Sequence, residues 1–129
     1  MIYLDTSVAL AHLLAEDQRP PDSLWAQPLV SSRLLEYELW TRIHARGLAR
    51  SHGEFLRLLL ARVGLIELAP PVLARALEPF PTPVRALDAL HLASMDFLIR
   101  QRQRVALASY DTRLLAAARR LGIPLSELV

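Results

Sequence analysis

The chain has 129 residues, a hydrophobic fraction of 53%, no cysteine and a formal net charge of +2 at pH 7. We expect one domain over residues 1–129, and the absence of cysteine excludes disulfides, thiolate catalysis and cysteine-type zinc sites. No apolar run reaches the ~18 residues of a transmembrane helix and no signal peptide is recognisable, so a cytoplasmic location is expected.

Strand-like apolar runs alternate with helical patterns along the chain. The predicted strands cover residues 2–4, 28–31, 65–68 and 105–109, with a short edge strand at 125–129. The predicted helices cover residues 7–16, 33–46, 72–78, 84–101 and 111–122, with a turn of helix at 22–26 and a further helix that opens with a capping box at 51–54 and ends at Gly64. Ser32 is predicted to cap the helix at 33–46, and Thr82 and Pro83 to open the helix at 84–101.

This alternation predicts an α/β fold, with a central, mainly parallel sheet of four or five strands that is flanked by helices on both faces. In open sheets of this kind, ligands collect outside the carboxyl ends of the strands. Side chains that directly follow a strand are therefore the first candidates for a functional site.

Asp5 and Asp111 each follow a predicted strand and precede a predicted helix. Thr6 and Ser7 come directly after the first acid, and Ser109 lies just ahead of the second. An ordinary helix N-cap accounts for either acid alone about as well as a functional site does. If their strands are neighbours, however, the two carboxylates converge at one edge of the sheet.

Asp88 lies on the most apolar predicted helix, beyond its first turn if Thr82 is the cap. Its helical stripe includes His91, so the carboxylate is predicted to face an apolar surface. A carboxylate there is costly unless it is paired, hydrogen-bonded or bound to a metal. The alternative is a salt bridge or hydrogen bond to Arg85 or His91. We interpret His91 as a packed residue or a supporting hydrogen-bond donor rather than a metal ligand.

Glu36 and Glu38 lie on the predicted helix at 33–46, and helical periodicity does not choose between them. Arg42 follows Glu38 by four residues, so a surface ion pair is the alternative role of that acid. Several carboxylates gathered in a dry pocket require a cation or bound protons. Because the chain lacks cysteine and paired histidines at metal-ligand spacing, a hard cation that prefers oxygen is favoured over zinc.

Four stretches carry a resemblance to a known family, at residues 3–7, 32–39, 87–93 and 108–114. The run Leu-Asp-Ala-Leu-His-Leu-Ala at 87–93 is the most specific of them. The stretches occur in the family's order and cover nearly the whole chain. On these grounds the sequence resembles PIN-domain ribonucleases of the VapC toxin type, and the resemblance implies a three-layer α/β/α PIN-like fold.

The resemblance implies an endoribonuclease that hydrolyses RNA phosphodiester bonds with one or two Mg²⁺ or Mn²⁺ ions, which activate a water. The acids implied as metal ligands and catalytic residues are Asp5, Glu38, Asp88 and Asp111. The implied supporting hydroxyls are Thr6, Ser7 and Ser109. The choice of Glu38 over Glu36 depends on the family's register, in which the second acid follows a serine by about six positions.

The resemblance also implies a homodimer, inhibition by a cognate antitoxin, and binding of promoter DNA only through the complex with that antitoxin. All 15 basic residues are arginine, which suits phosphate, and Arg33, Arg85 or Arg113 are candidates for RNA contacts. Two other functions stay open: a PIN-type nuclease of RNA processing without an antitoxin, and a non-catalytic module that binds RNA or protein.

Overall fold

The computed structural model describes residues 1–129 and contains four strands and six α-helices. The strands are β1 (Ile2–Leu4), β2 (Leu29–Ser32), β3 (Val63–Ile66) and β4 (Ala106–Ala108). The helices are α1 (Thr6–Leu13), α2 (Leu34–Ala45), α3 (Ala49–Leu60), α4 (Pro70–Ala76), α5 (Ala86–Arg100) and α6 (Thr112–Arg120), and a short 3-10 helix (Asp22–Ala26) precedes β2. None of these helices has both the length and the apolar character needed to cross a membrane.

The four strands form one parallel sheet in the order β3-β2-β1-β4. The chain builds outward from β1 through β2 to β3 and then returns to the other side of β1 with β4. The strand order therefore reverses at β1. The crevice at the carboxyl ends of β1 and β4 is a topological switch point, which is where ligands bind in open α/β sheets.

Helices cover both faces of the sheet because the strands are apolar on both sides. In β1, Ile2 and Leu4 pack into a core shared with α1, α2 and α3, whereas Tyr3 packs into a second core with α5 and α6. All three residues of β1 are buried, as expected for a central parallel strand. The predicted α/β class and the three-layer arrangement around a mainly parallel sheet are confirmed.

The start of α5 differs from the prediction. Thr82 and Pro83 do not open this helix, which begins at Ala86 after an extended Arg85 that makes no side-chain cap. Prolines at 79, 81 and 83 keep the preceding segment out of the helical conformation. As a consequence, Asp88 lies in the first turn of α5 and not beyond it, at the end of the helix where a negative charge is favoured.

Three further details of the prediction were wrong. The capping box at 51–54 does not form, because α3 already begins at Ala49. The early start is possible because Gly47, with a φ of +66°, ends α2 in a tight turn. Gly64 does not end that helix but lies inside β3, paired with Val30. The predicted edge strand at 125–129 is reduced to a single parallel bridge between Leu107 and Leu125.

Candidate active site

Asp5 is held at the carboxyl end of β1 by hydroxyl groups from two sides. Asp5 is only 6% exposed. Its backbone N–H donates to the carbonyl of Ala108 at 3.0 Å, which continues the pairing of β1 with β4. Its Oδ2 accepts from Ser7 Oγ at 2.6 Å and from Ser109 Oγ at 2.8 Å. Asp5 also caps α1 through the Ser7 N–H, so the capping role and a functional role coexist.

The same two hydroxyls fix the loop between β4 and α6. Ser7 Oγ accepts from the backbone N–H of Tyr110 at 2.9 Å, and Ser109 Oγ accepts from the N–H of Asp111 at 2.9 Å. Asp111 caps α6 through Oδ1, which accepts from Arg113 N at 2.9 Å, and its Oδ2 takes no part in that cap. The expected convergence of the two strand-end acids is therefore built on a shared set of hydrogen bonds.

Glu38 joins this edge from α2, and Glu36 does not. Glu38 Oε1 accepts from Thr6 Oγ1 at 2.9 Å and is 2.6 Å from Nε2 of His91. The Glu36 carboxylate instead forms a partly exposed ion pair with Arg33, which also binds Glu67. The alternative role of Glu38, an ion pair with Arg42, is absent from the structure.

His91 is only 2% exposed, and both of its ring nitrogens have partners. Nε2 faces Glu38, and Nδ1 lies 2.7 Å from the hydroxyl of Tyr3. Burial disfavours the imidazolium, but the hydrogen bond to Glu38 and the nearby charges of Glu38, Asp5 and Asp88 outweigh burial and raise the His91 pKa. His91 is thus buried and hydrogen-bonded to Glu38, which agrees with either expected role, a packed residue or a supporting hydrogen-bond donor.

Asp88 is half-buried in the first turn of α5. Its pKa is raised, first by burial and then by the negative charges of Asp111 and Asp5, against the favourable contribution of the Arg85 backbone N–H. The alternative role of Asp88 was a salt bridge or hydrogen bond to Arg85 or His91. No salt bridge forms, and the hydrogen bond to the Arg85 backbone is the part of that alternative that is present. Asp88, Asp111 and Asp5 therefore share one electrostatic environment.

These side chains do not form a ready-made metal site, because no three acidic or histidine groups come close enough together to hold an ion. Their chemistry nevertheless fits a hard cation, which takes carboxylate oxygens and, in the case of Mg²⁺, usually keeps several waters beside one or two of them. Oδ1 of Asp5 lies outside the hydrogen bonds that fix Oδ2. A cation at this edge also relieves the repulsion that raises the Asp88 pKa.

A groove of about 450 Å³ runs along the site between the starts of α5 and α6. Arg85, Asp88 and Arg113 line it together with Thr82 and neighbouring residues. Both arginines are exposed and neither takes part in an ion pair. Of the three predicted RNA-binding arginines, these two are therefore free to bind a ligand, whereas Arg33 is occupied by Glu36 and Glu67.

Sequence reasoning missed Tyr3 as a member of this network. Tyr3 is fully buried and looks like an ordinary aromatic residue of a central strand. The one available signal was its hydroxyl, because a tyrosine predicted to be buried on a central strand needs a hydrogen-bond partner. The partner, His91, is 88 residues away in the chain and becomes apparent only once α5 is packed on the sheet.

Comparison with known proteins gives two findings. A family model described as PIN domain matches residues 2–121. The chain is also 32% identical to "Ribonuclease VapC47" of Mycobacterium tuberculosis (strain CDC 1551 / Oshkosh), over 129 aligned positions that cover 95% of this chain and 93% of that relative. The matched region contains all of the acids and hydroxyls described above.

Proposed function

Because this chain belongs to the PIN-domain family, and within it to the VapC-type ribonucleases, we propose that it is a divalent-metal-dependent endoribonuclease. The observation that carries the proposal is the gathering of acids at the topological switch point of the sheet. Asp5, Glu38 and Asp111 are held there by defined hydrogen bonds, and the charges of Asp5 and Asp111 act on Asp88.

In this proposal the residues that hold one or two Mg²⁺ or Mn²⁺ ions are Asp5, Glu38, Asp88 and Asp111. A divalent cation held by these carboxylates would supply activation of a water and stabilisation of negative charge on the phosphate. The protein's own contribution is to keep the carboxylates in place. Ser7 and Ser109 fix Asp5, and Thr6 fixes Glu38, so little reorganisation is needed when substrate arrives.

The substrate is proposed to be RNA, bound partly through the groove beside Asp88. Arg85 and Arg113 line that groove without acidic partners, so their guanidinium groups are available to contact phosphates that flank the scissile bond. An acidic centre alone repels a polyanion. Flanking arginines together with a bound cation reverse that repulsion.

We further propose that the protein is the toxin of a toxin–antitoxin pair and acts as a homodimer in the cytoplasm, where its RNA substrates are found. A cognate antitoxin inhibits it and brings the complex to promoter DNA. These proposals rest on membership of the VapC type. Light scattering of the isolated chain tests the dimer, and a small gene for a DNA-binding protein beside the toxin gene supports the antitoxin.

The test of the enzymatic proposal uses two neighbouring glutamates on one helix. Glu38→Gln is expected to lower RNA cleavage roughly 100-fold, whereas the matched change Glu36→Gln leaves cleavage within about twofold, because Glu36 only forms a partly exposed ion pair. EDTA is expected to stop cleavage by the parent protein, and Mn²⁺ to restore it. Tight RNA binding without any metal-dependent cleavage instead indicates a non-catalytic binding module.

A further inference from the structure

Four secondary-structure elements contribute to one chain of hydrogen bonds that ends at Glu38. The Tyr3 hydroxyl, from β1, lies 2.7 Å from Nδ1 of His91, on α5. Nε2 of the same ring lies 2.6 Å from Oε1 of Glu38, on α2. Thr6 Oγ1, at the start of α1, donates to that same oxygen at 2.9 Å.

The chemistry of the groups determines the direction of these bonds. An ionised carboxylate only accepts hydrogen bonds, so Nε2 of His91 must carry the hydrogen that it shares with Glu38. In the neutral ring Nδ1 then has no hydrogen, and the Tyr3 hydroxyl has to donate to it. In the imidazolium form Nδ1 carries a hydrogen, and the Tyr3 hydroxyl accepts it instead. In both forms Tyr3 holds the ring so that the Nε2 hydrogen points at Glu38.

Burial makes this arrangement rigid. Tyr3 is 0% and His91 is 2% exposed, so water does not replace a lost partner at either group. A buried polar group without a partner is costly, which favours the single arrangement in which all of these groups are paired. Oε1 of Glu38 then has two donors, and Oε2 is left outside the chain.

We propose that Tyr3 and His91 are positioning residues, which orient Glu38 so that its second oxygen is ready to bind a divalent cation. The inference rests on the proposed function, because it gives Glu38 the role of a metal ligand. Its distinctive consequence is that the hydroxyl of Tyr3, which is buried in the core between the sheet and helices α5 and α6, increases the affinity of the site for metal. Residues that hydrogen-bond to a metal ligand without touching the metal typically contribute about 10–100-fold to metal affinity or activity.

The first experiment removes only the Tyr3 hydroxyl. Mn²⁺ affinity is measured without RNA, by calorimetry or by electron paramagnetic resonance, for the parent and for Tyr3→Phe. We expect Tyr3→Phe to bind Mn²⁺ about tenfold more weakly. The matched control, Tyr37→Phe, makes the same chemical change at a side chain that is 62% exposed, and it is expected to bind like the parent. Saturating Mn²⁺ restores much of the cleavage rate of Tyr3→Phe, which a general loss of structure does not allow.

The second experiment separates the two sides of the His91 ring. The amide nitrogen of His91→Gln reaches roughly the position of Nε2 and keeps a donor to Glu38. The shorter side chain of His91→Asn lies near Nδ1 and leaves Glu38 without that donor. We therefore expect His91→Gln to bind Mn²⁺ more tightly than His91→Asn, with both variants checked for folding by circular dichroism.

The outcomes distinguish this inference from the proposed function. A folded Tyr3→Phe that binds Mn²⁺ like the parent overturns the role of Tyr3, and equal affinities of His91→Gln and His91→Asn overturn the role of His91. In both cases the ribonuclease proposal stands. A parent protein that neither binds Mn²⁺ nor cleaves RNA overturns the proposed function itself. If the His91 variants do not fold, Tyr3→Phe carries the test, because it removes a single oxygen atom.

Discussion

Ser109 donates a hydrogen bond to Oδ2 of Asp5 at 2.8 Å, across 104 residues of sequence. The register of β1 and β4 pairs Leu4 with Ala108, so the next residue on each strand meets at the edge of the sheet. The Ser109 hydroxyl also accepts from the N–H of Asp111 at 2.9 Å. One hydroxyl thus links the two acids that end neighbouring strands.

Replacing this hydroxyl affects both stability and activity. Ser109→Ala leaves the Asp111 N–H without its acceptor and Asp5 without one donor, at a position that is 5% exposed. We expect a loss of about 1–2 kcal/mol in the free energy of unfolding and a fall of roughly tenfold in RNA cleavage. Urea denaturation and a cleavage assay measure the two effects. Ser51→Ala, at an exposed serine of α3, is the control, and an equal loss in that variant argues against a specific role for Ser109.

Asp88→Asn is expected to stabilise the metal-free protein while abolishing cleavage. Burial and the charges of Asp111 and Asp5 raise the pKa of Asp88, so the folded state binds its proton more tightly than the unfolded state does. Stability is then fully present at low pH and falls as the pH rises through the raised pKa. In EDTA at pH 8, Asp88→Asn is therefore expected to unfold at a higher temperature than the parent. Its free energy of unfolding should be larger by roughly a few tenths of a kcal/mol, after allowance for solvent screening.

The difference between the two proteins should shrink as the pH falls through the raised pKa of Asp88, and it should be absent below 3.8, the usual value for an aspartate, because the parent then also carries a neutral group at position 88. Saturating Mn²⁺ should stabilise the parent more than the variant. A lower unfolding temperature for Asp88→Asn in EDTA at pH 8 contradicts the shared electrostatic environment of Asp88, Asp111 and Asp5.

The sequence predicts the parts of the site that depend on local order along the chain. Asp5 and Asp111 follow apolar strands, and in a parallel sheet all carboxyl ends lie at one edge, so their candidacy needed no tertiary information. The pairing of β1 with β4, in contrast, cannot be predicted from local sequence. It arises from a crossover of the whole chain, and local patterns do not specify which edge of the growing sheet the last strand joins.

The choice between Glu36 and Glu38 shows the same limit. The two residues are two positions apart on α2, and both are partly buried on a weakly patterned helix. Glu38 is selected by Thr6 and His91, which lie 32 and 53 residues away in sequence. The resemblance to a family favoured Glu38 over Glu36, because the spacing of residues within a family reflects tertiary contacts that helical periodicity does not contain.

His91 is expected to make stability depend on pH with a known sign. Its pKa is raised above the usual value of 6.5, because the hydrogen bond to Glu38 and the surrounding acids outweigh burial. The corresponding stability is present below 6.5 and is lost as the pH rises through the folded-state pKa. In EDTA, the unfolding free energy of the parent should therefore fall with rising pH more steeply than that of His91→Gln. Asp88 contributes with the same sign, so the comparison is repeated in an Asp88→Asn background, where equal slopes contradict the assignment to His91.

Arg85 and Arg113 are expected to act on substrate binding rather than on the chemical step. Both line the groove beside Asp88 and lack ion-pair partners, so each is free to contact an RNA phosphate. Arg85→Ala and Arg113→Ala should raise KM for RNA several-fold with little change in kcat, because they remove binding that is equally present in the transition state. Each substitution should also make the salt dependence of RNA affinity less steep. The slope of log affinity against log salt concentration should change by about 0.7 per lost phosphate contact for a single strand.

Arg50→Ala, at an exposed arginine of α3 outside the groove, is the control. If it weakens RNA binding and flattens the salt dependence as much as the groove variants do, the arginines act only through net charge and the groove does not bind the substrate.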